Sequence, residues 1–472
     1  MLFNSLDFAV FLMVVVPLYY LLPHRGQNRM LLVASYVFYG AWDPRFLGLI
    51  LLSTCIDYFL GLRIAAAQDP KRRRLLLQLS LLANLSLLGV FKYLGFFSDS
   101  FADLMLLFGV DVPRLVMDIV LPVGISFYTF QTLSYTIDIY RRRCEPTKRF
   151  LDFALFVAFF PQLVAGPIER AVNLLPQILQ PRRATFAQIS TGCWLILWGL
   201  YKKVVVADNL AYLVDTIYAT GGSPTNLELL LGTYAFFFQL YCDFSGYSNI
   251  ARGLAKILGF ELMLNFNLPL FATSIKDFWD RWHISLGSWI RDYVYIPLGG
   301  SREGLYGTCR NLFVMFILVG LWHGAAWPFV IWGAWNGFML VVHRLMRGPL
   351  SQVQPGTGLG IFSWLWARRI FIFHLNCISL LFFRSESLSQ VGTLAMSVIS
   401  RPDPGLVINW LPTMLMLVAP LVLMECWQVH HNDQEVVMKQ SWWVRLAITG
   451  FVIVSIVLLG EQGEVPFVYF QF

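Results

Sequence analysis

Eleven stretches of this chain are apolar over about the length that a helix needs to cross a bilayer, and that repetition constrains its fold more than any other feature. They lie near 7–23, 29–41, 46–62, 75–98, 115–139, 189–218, 229–250, 311–343, 370–384, 406–427 and 446–460, the eighth being long enough for a tight helical hairpin. Hydrocarbon offers no partners to backbone N–H and C=O groups, so such segments must satisfy their own hydrogen bonds as helices. The expectation is an all-α polytopic membrane protein of about 11 transmembrane helices, with re-entrant and interfacial helices around a central tunnel. The 472 residues read as one integral-membrane domain, without internal repeat or low-complexity tract. Composition agrees: charged residues make up 13%, against about 25% in soluble domains. A soluble globule is excluded. Nucleic-acid binding is excluded as well, because the basic residues come in short bursts and not along one face. The first segment has no basic region before it and leads into further apolar sequence, so it reads as a retained helix and not a cleaved signal.

Basic loops stay on the cytoplasmic side. Lys71-Arg72-Arg73-Arg74 and the run Arg141, Arg142, Arg143, Lys148, Arg149 are separated by two spans and share one side. Arg25/Arg29, Arg182/Arg183, Arg344/Arg347 and Arg368/Arg369 can join them there. Counting from these loops puts both termini outside. The seven Cys contain no CxxC pair and lie mostly within apolar segments, so no disulfide framework and no metal site is expected.

Ionisable groups at membrane depth are costly and therefore point to function. His323 stands in Gly320-Leu321-Trp322-His323-Gly324-Ala325-Ala326-Trp327, within a run from Phe313 to Phe329 that has no other titratable side chain. A neutral imidazole can take a proton from a hydroxyl and return it. The small Gly324, Ala325 and Ala326 are expected to leave space beside it for a substrate. His283 lies in Lys276-Asp277-Phe278-Trp279-Asp280-Arg281-Trp282-His283-Ile284-Ser285, which is too charged to span. Phe278, Trp282, Leu286, Trp289 and Tyr293 recur at helical spacing and predict one amphipathic helix in the interface, stopped by Pro297, Gly299 and Gly300. Position alone also allows both histidines to be packing residues. His374, in an apolar span, is expected to be a hydrogen-bonded core residue.

Two polar islands support an internal cavity. Gln239-Leu240-Tyr241-Cys242-Asp243-Phe244-Ser245-Gly246-Tyr247-Ser248-Asn249 sets an acid and several hydroxyls inside a span, and Phe160-Pro161-Gln162-Leu163-Val164-Ala165-Gly166-Pro167 looks broken or re-entrant. Phosphate-loop, HExxH and GxSxG patterns are all missing.

Several blocks resemble the membrane-bound O-acyltransferases, more closely the bacterial alginate and exopolysaccharide O-acetyltransferase branch. They are Leu121 to Tyr140, Phe159 to Arg170, Tyr241 to Ser248, Asp277 to Gly300 and Gly320 to Ala325. The resemblance implies transfer of an acyl group, usually acetyl, from a cytoplasmic thioester such as acetyl-CoA to a hydroxyl, with no permanently bound cofactor. His323 matches the family's invariant histidine and His283 its second histidine. Trp282, Trp322, Tyr241, Asp243, Ser245 and Arg281 are the expected substrate-binding residues, with Lys276, Arg281 and Arg291 suited to coenzyme A phosphates. Tyr469, in the aromatic tail Phe467-Val468-Tyr469-Phe470-Gln471-Phe472, is a candidate acyl shuttle. The implied partners are a periplasmic or membrane-anchored acetyltransferase or esterase-like protein and the polysaccharide synthesis machinery. The chain departs from some alginate-pathway members at Asn249, Asp280 and Gln162, which leaves alginate, cellulose, another exopolysaccharide or peptidoglycan open as the polymer. A transporter or flippase without chemistry, or a scaffold for a synthase, is the alternative class.

Overall fold

The computed structural model describes residues 1–115, 120–219, 224–352, 358–399, 405–461, 463 and 465–468. Among them the secondary structure is helical throughout. Eight helices have the length and apolar composition to cross a membrane, fewer than the eleven anticipated. Leu6–Leu21 and Ile125–Tyr140 have 16 residues each, short of that length. Of the predicted span 115–139, residues 116–119 lie outside the described residues.

Two compact units can be distinguished: Met1–Gly192 with Ala251–Met263, and Cys193–Ile250 with Leu264–Phe472. In the first unit, Leu47–Ala66, Pro70–Leu88 and Ile125–Tyr140 enclose a buried polar network. Asp57 accepts from Ser80 Oγ at 2.6 Å and Asn84 Nδ2 at 2.8 Å, and Ser80 also meets Thr136 at 3.0 Å. Its bonds are made within the protein, as a lipid setting demands. The expected break at Phe160–Pro167 is present: Phe150–Ala158 ends at Phe159, and a single turn, Phe160–Leu163, follows it. Every residue of this segment is buried, which is the condition for irregular backbone at membrane depth.

The second unit carries both candidate histidines. The long apolar run near 311–343 is a helical hairpin as anticipated, made of Gly304–His323 and Trp327–Gln352. The two helices approach so closely that a Cβ at Gly320 would stand 2.2 Å from the Phe329 carbonyl oxygen, and one at Gly333 would stand 2.4 Å from that of Phe316. Without a hydrophobic force between helices in lipid, small residues that allow such approach supply the association. Gly333→Leu should therefore aggregate when solubilised, since overpacking costs about 1–3 kcal/mol or more. Gly348→Leu, on the same helix but with nothing within 4 Å of its Cβ, should elute as the native protein does on size exclusion.

Candidate active site

The segment expected to form one interfacial helix forms two. Ile275–Arg281 and Ile284–Ile290 are separated at Trp282 and His283, and a π-helical turn, Arg291–Tyr295, follows. The apolar stripe is nonetheless buried as its periodicity predicts, Phe278, Trp282, Leu286, Trp289 and Tyr293 all facing inward. The break occurs because His283 adopts a left-handed backbone, φ 45° and ψ 52°. A bulky residue does so only under outside constraint. The constraint is the neighbouring 265–267 segment. Asn267 N–H donates to the Arg281 carbonyl at 2.8 Å, and Ile284 N–H donates to the Asn265 carbonyl at 2.9 Å, so the turn is held on both sides. The Asn265 side chain accepts from Ser285 Oγ at 2.9 Å and donates to Ser248 at 3.2 Å.

Held this way, the His283 imidazole is 2% exposed, and neither ring nitrogen has a hydrogen-bond partner among the described residues. Burial drives it toward the neutral form, down to about 3 from the ordinary 6.5. His323 is the last residue of Gly304–His323 and is 4% exposed. Its ring meets Trp322, Trp332 and Phe383 edge to face, with centroids 5.0, 4.9 and 5.3 Å away. The two imidazole centroids are 6.5 Å apart, and Trp322 lies 5.8 Å from His283.

Both histidines line one cavity of about 290 Å³. Its inner wall is apolar, with Trp279, Trp282, Leu286 and Phe316, and its rim carries Lys276, Asp280 and Arg291. On its other side His323 borders a smaller space of about 20 Å³ with Asn376, Ser379 and Phe383, large enough for a water and little more. The cavity does not lie where the small residues after His323 suggested. A Cβ at Gly324 would meet the Phe329 ring at 2.2 Å, so that space is filled by protein and serves the hairpin.

The remaining predicted residues fall into two groups. Trp282 lines both cavities, and Trp322 packs on both histidines. Tyr241 donates its hydroxyl to Glu425 at 2.5 Å, and Asp243 is ion-paired with Lys203 at 2.9 Å, so each has its polar atoms engaged with protein. Ser245 is buried on the same helix, and neither it, Tyr241 nor Asp243 lines the two cavities. Arg281 donates to Asp277 at 2.7 Å and to the Asn267 carbonyl at 3.2 Å, and it too lies off the cavity wall. Lys276 pairs with Asp280 and Arg291 with Asp292. His374 is exposed and not in the core as expected, although it is hydrogen-bonded, to Tyr234 at 2.6 Å. Tyr469 lies outside the described residues. Asn265, Trp332 and Phe383 were not foreseen; an asparagine amid Leu262-Met263-Leu264-Asn265-Phe266 was the available signal for the first.

Because His283 is held neutral when folded and titrates normally when unfolded, its burial stabilises nothing below the ordinary value. Stability present above about pH 6.5 is lost as the pH falls, since the unfolded chain then binds the extra proton. Melting of the purified protein from about pH 7 to about pH 5 should lose more Tm than that of His283→Asn, which tolerates the left-handed turn without titrating.

A model of the membrane-bound O-acyltransferase family matches residues 145–385. The chain is 43% identical over 408 residues to a probable alginate O-acetylase of Azotobacter vinelandii, covering 85% of this chain and 79% of that one. It is 38% identical over 499 residues to a probable alginate O-acetylase of Pseudomonas putida, covering all of both chains. A peptidoglycan O-acetyltransferase of Helicobacter pylori is 35% identical over 403 residues, covering 79% of this chain and 74% of that one.

Proposed function

The chain belongs to the membrane-bound O-acyltransferase family, and on that premise we propose that it moves an acetyl group from a cytoplasmic thioester, acetyl-CoA, toward O-acetylation of an exported polysaccharide. The observation that carries the reading is the meeting of His283 and His323 on one cavity whose rim is charged and whose wall is apolar. A narrow thioester arm suits such a wall, and Lys276 and Arg291 at the rim suit phosphate. The protein sits in the bacterial inner membrane with both termini periplasmic, and a periplasmic acetyltransferase-like partner and the polymer synthesis machinery receive the acyl group.

His323 acts as general base. It takes the proton of an acceptor hydroxyl, whose oxygen attacks the thioester carbonyl carbon; the C–O bond forms, the C–S bond breaks, and the departing thiolate recovers the proton from His323. His283 is neutral and carries one ring N–H, which donates to the carbonyl oxygen as negative charge develops there. A preorganised donor in a dry site costs no rearrangement during the reaction. Trp282 walls the space in which the acyl arm lies, and Trp322 packs on both imidazoles and holds them in place. A general base contributes about 10²–10⁴-fold, so His323→Ala at matched membrane levels should lower O-acetyl esters on the exported polymer by at least about 100-fold. Undiminished esters would refute the assignment.

The acceptor hydroxyl on this reading is that of Tyr469. The support is the preceding segment: Phe467 and Val468 are buried, and Val468 N–H donates to Asp243 at 2.7 Å. Mass spectrometry of the C-terminal peptide should find Tyr469 acetylated in cells supplied with donor but lacking the periplasmic partner. Full polymer acetylation by Tyr469→Phe would remove Tyr469 from the route and leave the two histidines in place. Alginate, named for the Azotobacter and Pseudomonas relatives, is the first polymer to test, and peptidoglycan, named for the Helicobacter relative, the second.

A further inference from the structure

The end of the chain is bonded into the second unit by buried charged and backbone groups. Beyond Trp442–Leu459 the backbone meets a π-helical turn, Tyr201–Ala207. A π turn draws some carbonyls out of the regular ladder. Val204 O accepts from Glu461 N–H at 2.9 Å, and Asn209 Nδ2 links Val205 O to Leu459 O, both at 2.9 Å. The same turn carries Lys203. Its ammonium lies 2.8 Å from Asp208 Oδ1 and 2.9 Å from Asp243 Oδ1, and it donates to the Val465 carbonyl at 3.1 Å. Two carboxylates and one carbonyl thus surround the ammonium. Asp243 spends its other oxygen on Val468 N–H at 2.7 Å. The carboxylates come from different helices, Asp208 from the first turn of Asp208–Tyr218 and Asp243 from Asn226–Ile257.

Burying three charges is expensive, and such a group is seldom the most stable way to fill a core. Here its backbone bonds go to Val465 and Val468, residues of one segment, so what it specifies is where that segment runs. The consequence reaches the site. Phe467, 0% exposed, packs on Tyr247 at 4.8 Å and Phe244 at 5.7 Å between ring centroids, and Phe244 in turn meets His283 edge to face at 4.7 Å. One ring separates the C-terminal segment from a candidate catalytic imidazole.

We infer that Lys203, Asp208 and Asp243 are a buried clamp that fixes Val465, Phe467 and Val468 as part of the site, with Phe467 seating Phe244 against His283. Lys203 and Asp243 are positioning residues: they line neither cavity and act through Phe467 and Phe244. The inference rests on the reading of His283 as a site residue, and it holds whichever hydroxyl accepts the acyl group.

The test uses the full-length protein in detergent with Val468→Cys, its reaction with a maleimide read on the C-terminal peptide by mass spectrometry. Modification should be slow in the otherwise native chain and faster by about tenfold or more with Asp243→Ala or Lys203→Met, each of which removes a charge-assisted bond to the segment. Without the cysteine, the same two substitutions should lower acetyl transfer, whereas Asp243→Asn, which keeps an acceptor for Val468 N–H, should retain more of both protection and transfer. Equal labelling in native and Asp243→Ala backgrounds would overturn the clamp. Where Asp243→Ala fails to fold, Phe467→Ala leaves the ion group intact and should elute normally while transfer falls; unchanged transfer would overturn the link to His283. The labelling arm is independent of activity, so it still tests the clamp if the histidines prove not to be catalytic.

Discussion

Lipid supplies no hydrogen-bond partners, so wherever this chain leaves a regular helix it must satisfy the freed groups itself. The site depends on that constraint. A left-handed residue costs about 1–3 kcal/mol and persists only where its surroundings over-determine it. At His283 they do, because two backbone bonds from the 265–267 segment bracket the turn and the Asn265 side chain closes on Ser285 and Ser248. With the backbone satisfied, the ring's own nitrogens are not needed for structure. They are left for the cavity that His283 lines.

The hairpin meets the same constraint by a different route. Helix ladders satisfy its backbone internally, so its helices associate through close approach at Gly320 and Gly333. That approach sets His323 at the end of one helix, where the chain turns at Gly324 and Trp332 of the returning helix closes on the imidazole. The aromatic rings around His323 restrict its orientation, and the cavity shared with His283 opens on one side of it.

Charge is handled by pairing at two adjacent lysines. Lys202 lies 3.9 Å from Glu425 and over the Tyr241 ring, while Lys203 joins Asp208 and Asp243. The π turn that carries both opens carbonyls to the returning C-terminal segment. Tyr241, engaged with Glu425, packs 5.9 Å from Trp282 and so supports the cavity wall from behind. Sequence reasoning took Tyr241 and Asp243 as substrate contacts because polar groups in a span suggest function. It passed over Lys202, Lys203 and Glu425, which carried the same signal and are the partners that occupy them.

From sequence alone the chain is determined to be a helical membrane protein with a hairpin near its His323, a break at Phe160–Pro167 and a buried stripe from Phe278 to Tyr293. These follow from run length, local breakers and periodicity, which are properties of neighbouring residues in a solvent that forbids open backbone. Tertiary structure decided that the stripe breaks at His283, that the space beside Gly324 is filled, that two histidines share a cavity, and that the end of the chain returns to the site. The turn depends on Asn265 and the terminal segment on Lys203 with Asp243, partners distant in sequence, while the space beside Gly324 is filled because the hairpin folds Phe329 back onto it. A hydrogen bond or ring contact between remote residues leaves no periodic trace, so it becomes visible only when the fold brings the two together.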